Sequence, residues 1–114
     1  MTAAQFRKLA LSLSRVFEAP HFDRASFRVG TPKKSRIIAT LASDDEAMIM
    51  VKPVDKALDL IASNPTLFFG YGGFTTKMGS SGIRLRQVPQ STVKALLFEA
   101  WERLAPLVSG QSKR

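Results

Sequence analysis

Residues 26–52 read SFRVG, TPKKS, RIIATL, ASDDE and AMIMVK, which are three short runs suited to strands and split by two short polar breaks. This alternation constrains the fold more than any other feature of the chain. A parallel strand pair needs a crossover of about a dozen residues or more, so breaks this short leave room only for hairpins. Pro32 with two lysines supplies turn chemistry in the first break. In SFRVG, Phe27 and Val29 alternate with Ser26 and Arg28, the period of a strand with one buried face. RIIATL is rich in β-branched residues. The segment therefore predicts an antiparallel meander.

Helical patterns flank it. Phe6, Leu9, Ala10 and Leu13 recur at i, i+3, i+4 and i+7, which predicts a helix over 2–14 with Thr2 as its N-cap. Pro53 ends the third strand, and Asp55 is expected to cap a short helix over 56–63. Asn64-Pro65 closes that helix, with Asn64 in a left-handed cap. Five glycines in LFFGYGGFTTKMGSSG (67–82) predict tight turns. IRLRQV (83–88) reads as a strand, with Ile83 and Leu85 on one face and Arg84 and Arg86 on the other. Ser91 is expected to cap a final helix through Val93, Leu96, Leu97, Ala100, Trp101 and Leu104, which Pro106 ends. The order is helix, three strands, short helix, one or two strands, helix. It predicts an α+β two-layer sandwich, an antiparallel β-sheet with helices packed on one face.

The 114 residues, 45% of them hydrophobic, fit one domain with one core, placed here at 1–108 with a flexible tail at 109–114. The absence of cysteine excludes disulfides, iron–sulfur clusters and thiolate zinc, and suits a reducing cytoplasm. No apolar run approaches the roughly 18 residues of a membrane span. MTAAQFRKLA has no continuous apolar stretch, so no signal peptide is expected. A soluble cytoplasmic protein with no membrane partner is expected.

The net charge is +8 and the pI about 10.5. The charge is also segregated. Arg24, Arg28, Lys33, Lys34 and Arg36 fall in 24–43 without one acid, and five of the nine acids fall between Asp44 and Asp59. Such a balance points to a polyanionic partner, nucleic acid foremost.

Chemistry is sparse. His21 is the one histidine, and Asp23 is two residues away, but nothing fixes a nucleophile near them. A histidine hydrogen-bonded in a turn is the reading favoured. Asp44, Asp45 and Glu46 lack the spaced loop of a calcium site and read as a solvated turn. GYGGF lacks the lysine and hydroxyl of a phosphate loop, so Gly70–Gly73 reads as turn glycines, with an anion nest the lesser reading. No metal, no cofactor and no enzymatic activity are expected.

Several stretches together resemble the MmcQ/YjbR family: LALSLS closing the first helix, HFDRASFRVG, the IIATL strand, Lys52-Pro53, Asn64-Pro65, IRLRQV and EAWERLAP. The resemblance spans nearly the whole chain. It implies a frataxin-like (CyaY-like) sandwich, and a DNA-binding role by likeness to a "double wing" sheet. Relatives often carry a tryptophan just before the last strand. Here that stretch is GSSGIRLR, and Tyr71 or Phe74 could replace the ring only if the loop folds back. Iron binding, which the frataxin likeness raises, would need an acidic first helix, and residues 2–14 contain no acid.

Strand alternation places Arg28, Arg36, Arg84 and Arg86 on the uncovered sheet face around an apolar centre of Ile38, Met48 and Met50. The expected function is non-enzymatic binding of nucleic acid, double-stranded DNA foremost. The expected phosphate contacts are Arg28, Lys33, Lys34, Arg36, Lys77, Arg84 and Arg86. The alternative is a homodimer through Ile38, Met48 and Met50.

Overall fold

A computed structural model of the chain describes residues 1–42, 46–51, 53–70 and 78–108. The elements run α1 (Ala3–Leu11), β1 (Val16–His21), β2 (Arg24–Thr31), β3 (Lys34–Leu41), β4 (Glu46–Met50), α2 (Val54–Ser63), β5 (Phe68–Phe69), β6 (Ser80–Arg84) and α3 (Gln90–Val108). Among the described residues the strands form one antiparallel sheet of order β1-β2-β3-β4-β6-β5. Phe6 and Ala10 of α1, Ala57 of α2, and Val93, Leu97 and Ala100 of α3 share one core with Phe27, Val29, Ile49 and Ile83 of the sheet. The architecture is the predicted α+β sandwich. Asp44, Asp45, Lys52, Tyr71, Gly72, Gly73, Phe74, Lys77 and the tail 109–114 lie outside the described residues.

Local chemistry sets the first elements as expected. Thr2 accepts from the Gln5 amide, and the Gln5 side chain accepts from the Thr2 amide, a complete capping box. The β2–β3 hairpin pairs Thr31 with Lys34, so Pro32 and Lys33 form its tip.

Several features differ from the sequence expectation. α1 stops at Leu11, short of the expected Ser14, with Ser12 as its C-cap donating its hydroxyl to the Leu9 carbonyl. β1 is a strand that the pattern did not predict, because VFEAPH contains a proline and an acid. An edge strand tolerates both, since one side of its ladder has no partner. At α2 the N-cap is Pro53, with no side-chain cap bond, and Asp55 sits inside the first turn. A carboxylate there still meets the positive end of the helix. Asn64 is not left-handed (φ −141°, ψ 67°); its amide simply continues to the Leu60 carbonyl. β6 ends at Arg84, where the amides of Gln87 and Val88 both turn back onto the Arg84 carbonyl. The strand instead begins upstream at Ser80, where Ser80 and Ser81 pair with Met50 and Ile49 of β4 and Gly82 lies against Phe69 of β5. A Cβ on Gly82 would stand 2.5 Å from Phe69 Cε2. Finally, α3 begins at Gln90 rather than after Ser91, and runs through Pro106 to Val108. The buried Val108, with its carbonyl 3.5 Å from Arg15 Nη2, holds that last turn.

Candidate functional site

The uncovered face of the sheet carries a groove of about 710 Å³. Its position follows from strand lengths. The β2–β3 ladder extends to Thr31 and Lys34, whereas β3 pairs with β4 only over Ala39–Leu41 and Ala47–Ile49. Beyond that point β3 and β4 separate, and Leu104 of α3 shows through the gap as part of the groove lining. The remaining floor is apolar: Ile37 of β3, Met48 and Met50 of β4, and Met78 before β6.

A register shift between Phe27 and Arg28 decides which isoleucine contributes. Phe27 pairs with Ala39 and Arg28 with Ile37, so Ile38 is the extra residue of a β-bulge. Ile38 is 0% exposed and belongs to the core, and Ile37 lines the groove in its place. The expectation that Ile38 shares a face with Met48 and Met50 is therefore corrected. A strict period of two cannot register an inserted residue. Met48 is half-buried and Met50 is 8% exposed, so the apolar centre is recessed rather than protruding.

Two arginines rim the floor, Arg24 and Arg28. Arg36 borders the groove but pairs with the core residue Val29. The bulge that turns Ile37 to the groove thus sets Arg36 on the other face of β3, a second correction to the expected alternation. Arg24 Nε donates to Thr40 Oγ1 at 3.0 Å. Arg28 Nε donates to Ser26 Oγ at 2.9 Å, and Ser26 Oγ in turn donates to the Ala19 carbonyl at 2.8 Å. Arg28 Nη2 lies 3.5 Å from His21 Nδ1. Both guanidiniums are thus oriented by hydroxyls buried in the sheet. His21 is the last residue of β1 rather than a turn residue, and it faces the Arg28 guanidinium with no ion pair to Asp23. Lys33 and Lys34 extend the positive charge past the groove at the exposed hairpin tip. Among the described residues Lys33, Lys34 and Arg36 form no ion pair; the pairs present are Arg7–Glu18 and Lys56–Glu99.

Phe22 stands at the groove mouth. It is the first residue of the two-residue loop between His21 and Arg24, with φ +60°, and it is 93% exposed. Glycine normally takes that loop position. A bulky side chain there carries strain of about 1–3 kcal/mol, and this ring gains little burial in return. Its ring meets His21 edge-on, with centroids 4.8 Å apart.

Of the other predicted basic residues, Lys77 lies outside the described residues, and Arg84 and Arg86 stand apart from the groove. Arg84 is four residues along β6 from Ser80, a groove residue, or roughly 13 Å at strand rise. There it lies 4.5 Å over the Phe69 ring, donates to the Pro65 and Thr66 carbonyls, and pairs across the ladder with Glu46. Arg86 is exposed in the turn after β6, not on the strand face. The single basic face expected from the sequence is corrected to a line of cations along β2 and its hairpin and a separate pair at the end of β6, three strands across the sheet. Arg24, Phe22, Ile37 and Met78 were missed. The available signal was FD between VFEAPH and RASFRV, which reads as a hairpin loop once VFEAPH is accepted as an edge strand.

No family model and no curated protein matches the chain. Among solved structures it is similar to a Deinococcus radiodurans protein, DR2400, a DUF419 domain. The two share 23% identity and a TM-score of 0.74, over 88% of this chain and 75% of that one. The likeness establishes a common fold. Among the described residues no helix is long and apolar enough to cross a membrane.

Proposed function

We propose that this domain is a non-enzymatic nucleic-acid-binding protein of the MmcQ/YjbR type, to which DUF419 is related. It would contact phosphates along β2 and the β2–β3 hairpin of its open sheet. One observation carries the reading: five cations from thirteen consecutive residues, Arg24 through Arg36, follow one line. It runs from Arg24 at the start of β2 to the hairpin of Lys33 and Lys34, which begins seven residues on, roughly 23 Å at strand rise. A small anion would be neutralised by two or three of them. Five cations spread from groove to hairpin tip match a string of phosphates, whose condensed counterions they would displace. The contacts are then Arg24, Arg28, Lys33, Lys34 and Arg36, and the Arg84–Arg86 end falls outside them.

The test is binding of labelled DNA measured against salt. Micromolar binding at about 50 mM salt that weakens steeply as salt rises supports the reading. Absence of binding at that salt removes it. The recessed floor favours a second reading, a homodimer that inserts an apolar side chain into it. Sedimentation of Met48→Asp decides this: a monomer that the substitution leaves unchanged eliminates the dimer.

A further inference from the structure

We infer that the groove takes an unpaired nucleotide, so that the nucleic acid recognised is single-stranded or locally opened. This rests on the nucleic-acid reading above and goes beyond it, because phosphate contacts alone explain the cations but not what lies between them.

Two features remain unaccounted for by a duplex. The first is the floor. Met48, Met50, Met78 and Ile37 present apolar surface beside Arg24 and Arg28. A duplex keeps its bases stacked inside and offers this floor only charged backbone. An unpaired base offers a flat apolar face, and the groove, about 710 Å³, lies inside the roughly 300–1,000 Å³ range of small-molecule sites. The second feature is Phe22. A ring held at φ +60° and 93% exposed is disfavoured in both conformation and hydration. It sits at the mouth of the groove, between His21 and Arg24 on the hairpin loop. Single-strand binders combine a cationic path for the backbone with an aromatic face for the base. Here both occur together: Phe22 beside the floor, Arg24 and Arg28 at its rim, Arg36, Lys33 and Lys34 beyond. Charge complementarity fixes the occupant as a polyanion, and the apolar floor with its exposed ring selects a polyanion with accessible bases.

The experiment compares three labelled probes of about 12 nucleotides, a length within the usual single-strand site sizes. They are a base-bearing single strand, the same strand made wholly abasic, and the duplex. Each is titrated with the native protein and with Phe22→Gly. Glycine suits the left-handed loop position, so this variant folds at least as well as the native chain. The base-bearing strand is expected to bind roughly tenfold tighter than the abasic strand, the scale of one stacked base, and tighter than the duplex. Phe22→Gly is expected to remove most of that preference while leaving abasic-strand binding unchanged. Equal binding of base-bearing and abasic strands, or a duplex bound as tightly as the single strand, overturns the groove inference and leaves phosphate binding standing. Binding of none of the three at about 50 mM salt overturns both.

Discussion

Phe22 and Ile38 are the two residues whose placement most affects the rest of the molecule. Phe22 occupies a left-handed loop position while 93% exposed. Replacing it with glycine relieves the backbone strain and is expected to raise stability by about 1 kcal/mol, read as a higher urea midpoint. A lower midpoint would mean the ring packs against the protein after all. Ile38 is wholly buried in the bulge of β3, and Ile37 is only half-buried over the groove. Ile38→Ala is therefore expected to cost about 2–5 kcal/mol and Ile37→Ala less than half as much, measured by denaturant unfolding. The reverse order would restore the unbroken alternation read from the sequence. Gly82 supplies a third check at this scale. A methyl group there meets the Phe69 ring, and Gly82→Ala is expected to cost about 1–3 kcal/mol by overpacking.

At the scale of elements, the sequence specified most of what the structure shows, and its failures are local. The capping box at Thr2, the hairpin at Pro32-Lys33 and the apolar stripe of α3 each have a short-range cause, so the residues themselves reveal them. What stayed hidden depends on neighbours. β1 is recognisable as a strand only from its place at the sheet edge, where Pro20 does no harm. β6 begins upstream at Ser80, where it pairs with β4, a contact between segments. The bulge at Phe27/Arg28 exchanges Ile38 for Ile37, and no periodicity shows where a residue is inserted. The site was legible to the same degree. Arg28, Lys33, Lys34, Met48 and Met50 are where the meander puts them, Arg36 changes face with the bulge, and Phe22 and Arg24 depend on the unpredicted hairpin. The capping box has its own test: Thr2→Ala is expected to lower stability by about 1 kcal/mol, seen as a reduced melting temperature.

Among the described residues of the sheet, positive charge falls in two places. One line of cations follows β2 and the β2–β3 hairpin past the groove, and a pair lies at the end of β6, where Arg84 faces Glu46 across the ladder and covers Phe69. A fold shared with DR2400 carries no function by itself. The proposal stands on how these charges and the apolar floor are arranged. The most direct test is the salt dependence of oligonucleotide binding for two double variants, Lys33→Ala with Lys34→Ala and Arg84→Ala with Arg86→Ala. Each phosphate contact contributes about −0.7 (single strand) to −0.9 (duplex) to the slope of log K against log salt. Loss of the hairpin lysines is expected to make that slope shallower by nearly two contacts and to weaken binding several-fold, while the β6-end variant binds as the native protein does. Unchanged binding by the hairpin variant, or a larger loss from the β6-end variant, would contradict the assignment of β2 and its hairpin as the phosphate-binding surface.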